Sequence, residues 1–374
     1  MRSRLGLIWW VARYKLHRIL GRPRSMPINV TVSVTNSCNS RCKTCFIWKY
    51  YLEDPDLRRE EFTAEEFERT FRSLGKQVFW ATISGGEPYM RRDLPQICQT
   101  LYDHCRPAIM DIATNGLLTS RIKALTRDVL LRCPDTTLIV NISLDGIGED
   151  HDDIRGIDGN FKKLLSSYQK LTKLKERFEN LHVGIHSVIS NYNIDKILDI
   201  YDFAKQLNPD SFITEIAENR SELFNLNERI TPGADAYASV INELLHRVGR
   251  DYLRSGTTVS KITQAFRMTY YDMVTKLLRD DRQVVPCYAG YASCQITPHG
   301  DVWPCCVLGY DVSMGNLRET DYDFGRIWHS RRADEIRKFI REKSCACPLA
   351  NAHYTNMLCD PAAMVRVLKN LVMV

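Results

Sequence analysis

From residue 28 onward, short apolar runs alternate with stretches whose apolar positions recur every three or four residues. Val30 to Val34, Phe79 to Ile83, Ile109 to Ala113, Leu138 to Ile142, Val183 to Ile189 and Ser211 to Glu215 read as strands. Between them the spacing predicts a helix opening at Thr63, and others over Leu94 to Cys105, Ser120 to Arg132, Phe161 to Lys175 and Ile194 to Gln206. Thr63 with Glu66 makes a capping box ahead of Phe67 and Phe71. This alternation calls for parallel pairing in an α/β fold, and six such units make a partial barrel. In a barrel, chemistry collects at the C-terminal ends of the strands.

The alternation stops near residue 218. Residues 219–232 read as a connecting loop, and helices follow near Ala234 to Val248 and Val259 to Leu278. From Pro286 a second, cysteine-bearing unit begins. Gln295 to Thr297 and Asp301 to Trp303 predict a β-hairpin turning near Pro298-His299-Gly300, and Ala333 to Glu342 predicts a helix. The expected division is a basic amphipathic helix (1–27), a barrel (28–218), a helical connector (219–285) and a small cysteine-rich hairpin and helix domain (286–374). No internal repeat or low-complexity stretch interrupts it.

The first residues have a pattern of their own. On a helical wheel Leu5, Ile8, Trp9, Ala12, Leu16, Ile19 and Leu20 share one face, with Arg4, Lys15 and Arg18 beside it. The longest uncharged run, Leu5 to Ala12, is far short of the roughly 20 residues needed to span a bilayer. No small-residue cleavage site precedes the next charges, which argues against a signal peptide. Two readings remain open for residues 1–25: contact with an anionic membrane surface, or packing against the barrel or a partner. Charge sharpens the contrast. The net charge is +6, yet residues 1–52 hold ten Lys or Arg and no Asp or Glu, leaving the rest near −4. A local basic patch, not a general nucleic-acid binder, is the expectation.

The 374 residues suffice for one large α/β domain and an addition, and they include 13 cysteines. Cys98, Cys105 and Cys133 fall in helical stretches and read as buried, inert thiols. The others gather in two groups: Cys38, Cys42 and Cys45, then Cys287, Cys294, Cys305, Cys306, Cys345, Cys347 and Cys359. Clustered thiols without a secretory signal read as metal ligands in a reducing cytosol. Three thiolates in Cys-x3-Cys-x2-Cys can turn toward one centre and leave a coordination position open. An iron–sulfur cluster and a structural zinc both fit that spacing; the next His and Cys, His104 and Cys98, are distant for a fourth zinc ligand.

The triad follows the first strand. Ser84-Gly85-Gly86-Glu87-Pro88 follows the second, Thr114-Asn115-Gly116 the third, and Ser143-Leu144-Asp145-Gly146 the fourth. This ordered set resembles the radical S-adenosylmethionine (radical SAM) enzymes, over roughly residues 28–220. The resemblance implies a TIM-like (β/α)6 partial barrel. It also implies a [4Fe–4S] cluster on Cys38, Cys42 and Cys45, whose open iron is chelated by S-adenosylmethionine. Reductive cleavage would give a 5′-deoxyadenosyl radical that takes hydrogen from a substrate, with a reductase, flavodoxin or ferredoxin as electron donor. Gly85, Gly86, Glu87 and Pro88 match the segment that meets the methionine ammonium, since glycines admit a ligand close to the backbone. A strand-ending turn is the plain alternative for that segment. Ser143 and Asp145 match positions turned toward the ribose and carboxylate, and Asn115 is a further candidate. Arg155 could pair with a carboxylate or lie solvated on the surface. The aromatic residue usual before the third cysteine is here Thr44, which leaves Phe46 as candidate for the adenine contact. His186 and Ser187 on the fifth strand read as interior structural residues.

Cys287-x12-Gly300-x4-Cys305 resembles the opening of SPASM and twitch auxiliary-cluster domains. That implies a second iron–sulfur cluster on Cys287, Cys305, Cys345 and Cys347, with zinc as the alternative and Cys306 or Cys359 as substitutes. The later pair is Cys-x-Cys where that family has Cys-x2-Cys, and of the further cysteines of a full SPASM domain only Cys359 is present, so one auxiliary cluster is expected. The basic helix points to a lipid or lipid-linked substrate and a cytoplasmic enzyme at the inner membrane face. The auxiliary domain points instead to a peptide maturase, although no leader-binding module precedes Val30. A non-catalytic metal scaffold is the reading from another class.

Overall fold

The computed structural model describes residues 4–21, 25–253, 258–342 and 345–372. Six strands appear where the apolar runs predict them: β1 Asn29–Thr35, β2 Trp80–Gly85, β3 Ile109–Thr114, β4 Thr137–Ser143, β5 Leu181–Ile189 and β6 Ser211–Ile216. They pair in parallel in chain order. Alternate residues point opposite ways. Val32, Ile83, Ile112, Val140 and Ile185 join the apolar core, whereas Thr31, Thr82, Asp111, Asn141, His186 and Glu215 line a cavity inside the curve of the sheet. The helix Ala64–Leu74 starts on the expected capping box, with Thr63 and Glu66 exchanging side-chain-to-backbone hydrogen bonds of 3.3 and 2.9 Å.

The sheet does not close. It runs β6-β5-β4-β3-β2-β1 and continues into β7 Ser293–Ile296, β8 Asp301–Trp303 and β9 Gly315–Asn316. The expected hairpin is present, with Gln295 opposite Trp303 and Ile296 opposite Val302. Sequence gave no sign that its first strand would pair in parallel with β1, Val30 opposite Cys294. One sheet therefore serves the barrel and the cysteine-bearing unit, because an unpaired β1 edge would leave buried backbone groups unsatisfied.

The other edge, β6, is covered by side chains. From the helix Thr258–Asp280, Gln264 donates to Phe212 O at 3.0 Å and Arg267 to Thr214 O at 3.0 Å, while Tyr271 Oη accepts from Thr214 N. Two further helices, Ala350–Cys359 and Pro361–Val372, pack beside it. Among the described residues no helix is long and apolar enough to cross a membrane.

The N-terminal helix Arg4–Leu20 lies against the cysteine-bearing unit. Its inward face is Trp10, Tyr14 and His17, packed near Tyr288 and Cys359. Trp9, Leu16, Ile19 and Leu20, the apolar face of the sequence pattern, point outward. Packing of that face against the barrel, the plain expectation, is not what the structure has.

Candidate active site

The loop after β1 carries Cys38, Cys42 and Cys45 and is tied down from two sides. Arg41 N and Lys43 N donate to Arg155 O and Ile154 O at 3.0 and 2.9 Å, at the end of the helix Glu149–Arg155. Asn225 donates to Thr44 O, and Phe46 N to Leu223 O. The three thiols share one neighbourhood. Burial pushes Cys45 up to about 12, with Cys42 adding to it, and burial raises Cys38, where both other thiols contribute. Arg155 Nη1 lies 3.6 Å from Cys42 Sγ, and Asn115 Nδ2 4.0 Å from Cys38 Sγ. Crowded, buried thiols facing guanidinium groups fit a cationic iron centre, which stabilises them as thiolates.

All three open onto a cavity of about 340 Å³. Gly85, Gly86, Glu87, Asn115, Ser143, Asp145 and Arg155 also line it, whereas Pro88 and Phe46 are not among its lining residues. Phe46 lies under the Lys49 ammonium, and Thr44 and Ile47 face inward instead. The glycines are required by close backbone approach: a Cβ would meet Thr35 O at 2.1 Å from Gly85, whose φ is +124°, and Ser37 O at 2.3 Å from Gly86. Glu87 is engaged in joining strand ends. Its carboxylate accepts from Tyr89 N, Thr114 Oγ1 and Asn115 N, and burial holds it up at about 7 against those hydrogen bonds. Three donors thus already occupy this carboxylate. Arg155 is no surface residue: it pairs with Asp145 at 2.7 Å, and Asp145 also accepts from Val188 N.

In the second unit, Cys305 is pushed up to about 12 by burial, with Cys287 and Cys345 adding to it. Cys345 is raised to about 11 by burial and Cys287, and Cys347 is raised by burial, Glu218, Cys305 and Cys287. These four thiols therefore lie together. Cys306 turns toward the cavity, where Arg220 Nη1 reaches its sulfur at 2.7 Å. Cys359 belongs to the apolar cluster under the N-terminal helix. Among the described residues no three His, Cys, Asp or Glu side chains converge tightly enough for a single ion.

The segment after β6, which spans the end of the expected barrel and the start of the expected connecting loop at 219–232, contributes cavity residues that sequence reading missed. Glu218, Arg220 and Glu222 line the cavity, and Arg220 and Glu222 act electrostatically on both Cys45 and Cys306. Gln295 of β7 donates to Glu222 at 2.7 Å. Burial pushes Glu218 up to about 7, with Arg220 pulling the other way. Deeper in, Glu215 lies 3.6 Å from Arg267 and 3.9 Å from His186. The signal available was position: charged residues just past the C-terminal end of a barrel strand.

The profile of the radical SAM superfamily matches residues 32–204, and that of an iron–sulfur cluster-binding domain, SPASM, matches residues 287–348. The chain is 23% identical over 300 residues to the antilisterial bacteriocin subtilosin biosynthesis protein AlbA of Bacillus subtilis, covering 80% of this chain but 59% of AlbA. It is 24% identical over 325 residues to the AdoMet-dependent heme synthase of Methanosarcina barkeri, covering 83% of this chain and 84% of that protein. In fold it resembles Streptococcus suis SuiB bound to S-adenosylmethionine, with a TM-score of 0.61 at 15% identity, over 94% of this chain and 78% of SuiB.

Proposed function

We propose, for a chain that belongs to the radical SAM superfamily and carries a SPASM iron–sulfur domain, that it cleaves S-adenosylmethionine reductively and takes hydrogen from a substrate in the cavity between its two cysteine sets. The observation that carries this reading is the opening of Cys38, Cys42 and Cys45 onto the same cavity as Gly85, Gly86, Asn115, Ser143 and Asp145. When bound, the [4Fe–4S] cluster supplies the electron that releases a 5′-deoxyadenosyl radical from S-adenosylmethionine. The chain supplies the rest. Cys38, Cys42 and Cys45 hold that cluster; Cys287, Cys305, Cys345 and Cys347 hold an auxiliary one. The backbone at Gly85 and Gly86 receives the ammonium, and Asn115, Ser143 and Asp145 orient the remaining polar groups. Arg155 fixes Asp145 and the Cys42 loop, and Glu218, Arg220 and Glu222 face the substrate. The barrel, connector and auxiliary unit divide near residues 218 and 285. A flavodoxin- or ferredoxin-type protein, or a reductase, delivers the electron.

The substrate is proposed to be a peptide. The support is the likeness to AlbA, a bacteriocin biosynthesis protein. The heme synthase relative keeps a tetrapyrrole in contention. A lipid or lipid-linked substrate, met by a cytoplasmic enzyme at the inner membrane face, is the reading favoured by the outward apolar face of the N-terminal helix.

Anaerobic purification, iron reconstitution and addition of S-adenosylmethionine with dithionite test the chemistry. 5′-Deoxyadenosine is expected; its absence from a fully loaded protein overturns the proposal. Peptide, tetrapyrrole and lipid fractions from the source cells can then be compared for stimulating its release, and stimulation by either of the latter two alone overturns the peptide reading.

A further inference from the structure

Amphipathic helices ordinarily bury their apolar stripe. The N-terminal helix does the reverse. Trp9, Leu16, Ile19 and Leu20 are 54%, 52%, 75% and 58% exposed, while Tyr14 and His17 are buried. The inward side is anchored by polar contacts: Tyr14 Oη donates to Met26 O, and Arg18 Nε donates to Cys287 O at 3.1 Å while lying over the Tyr288 ring. Arg341 in turn donates to Arg18 O. The helix is thus held against the auxiliary-cysteine unit by its aromatic and polar side, and its aliphatic side is left to solvent.

Charge decides the occupant. Residues 1–24 contain seven Lys or Arg and no Asp or Glu. Arg13 lies 4.5 Å over the Trp9 ring, at the border of the outward face. A second copy would bring two such cationic segments together and be repelled. An anionic lipid surface offers both an acyl boundary for Trp9, Leu16, Ile19 and Leu20 and phosphates for the cations beside them.

We infer that this outward face docks the protein on an anionic phospholipid bilayer, with the auxiliary-cysteine unit lying next to the membrane. The inference rests on the location named above and on none of the radical chemistry. Vesicle binding and S-adenosylmethionine cleavage can therefore fail separately.

The test is flotation of the full chain with phosphatidylcholine vesicles and with vesicles containing one part in three phosphatidylglycerol. The protein is expected to float with the anionic vesicles, and less so as salt rises. Leu16→Glu with Ile19→Glu should weaken that partition at least tenfold, with an unchanged far-UV circular dichroism spectrum and unchanged 5′-deoxyadenosine release. Lys15→Gln with Arg13→Gln should weaken it less. Recovery of the wild-type chain in the lipid-free fraction overturns the inference, as does equal flotation of wild type and the Glu variant. A wild-type dimer that the Glu variant converts to monomer, seen by light scattering, assigns the face to a second copy and overturns it too.

Discussion

Arg155 Nε lies 2.7 Å from Asp145 Oδ2, and Nη1 of the same guanidinium lies 3.6 Å from Cys42 Sγ. One buried cation thereby connects the end of β4 to the cysteine loop after β1. Burial alone would disfavour its charge; Asp145 and Cys42 outweigh that and keep it protonated. The backbone repeats the connection, since Arg155 O accepts from Arg41 N.

Removing one member of such a pair is costly because the other is left buried and uncompensated. Arg155→Met should therefore lower stability by about 3–5 kcal/mol, read from the urea midpoint under reducing conditions. Arg155→Lys should fall between, because a point charge cannot meet Asp145 and the Cys42 loop together. An unchanged midpoint for Arg155→Met would mean that the pair contributes no net stability.

Backbone contact at Gly85 and Gly86 yields a second expectation. Gly85→Ala places a methyl group 2.1 Å from Thr35 O at a φ of +124°. That conformation alone costs on the order of 1–3 kcal/mol in a non-glycine residue, so the β2 turn must shift. S-adenosylmethionine affinity, followed by equilibrium dialysis of the reconstituted protein, should drop more than tenfold with iron content unchanged. Gly233→Ala, where no atom lies within 4 Å, should bind as wild type does.

Local patterns made much of this legible. Apolar runs marked β1 to β6 because each strand turns one side toward the core, and Thr63 with Glu66 marked a helix start because the capping box is a contiguous signal. Asp145, Asn115, Gly85 and Gly86 were singled out by their likeness to family motifs that follow strands, and all of them line the cavity. What escaped lacks a local signature. The β1–β7 pairing joins residues 264 positions apart, Asn29 with Ser293, and nothing in either segment names its partner. Phe46 and Thr44 sit in an irregular loop without a period to say which side chain turns inward. The N-terminal helix was readable as amphipathic, yet its orientation depended on Tyr14 and Arg18 finding backbone partners at Met26 and Cys287. Arg220 and Glu222 were passed over because residues 219–232 were expected only to connect, and Glu218 because it stands at the last position of the expected barrel.

The cysteine sets can be told apart by single substitutions. Cys38→Ala should abolish 5′-deoxyadenosine formation. Cys305→Ala should remove one cluster's iron and leave the electron paramagnetic resonance signal of the other. Cys306→Ala should retain both complements of iron, since its thiol is held by Arg220 Nη1 at 2.7 Å, with Cys305 as its neighbour. Equal iron loss from the Cys305 and Cys306 variants would contradict that division.

His151 provides a pH-dependent expectation away from the iron ligands. It is fully buried; Asp145 N donates to its Nδ1, which leaves Nε2 to carry the proton and donate to Asn160 Oδ1. Burial, helped by the nearby Arg155 charge, lowers its pKa from 6.5 to about 4. Above pH 6.5 the ring is neutral in both folded and unfolded chains and contributes no pH dependence. As pH falls from 6.5 toward 4, the unfolded chain takes up a proton that the folded chain refuses. Stability then declines by up to about 1.4 kcal/mol per pH unit, on the order of 3 kcal/mol in all. His182, His186 and His353 are also lowered, chiefly by burial, and steepen the same decline. The useful measurement is therefore a difference: urea unfolding of wild type and His151→Gln at several pH values between 7 and 4.5. The variant should be less stable at pH 7 because the Asp145 and Asn160 contacts are disturbed, and its stability should fall less steeply on acidification. Parallel curves would show that His151 titrates alike in both states.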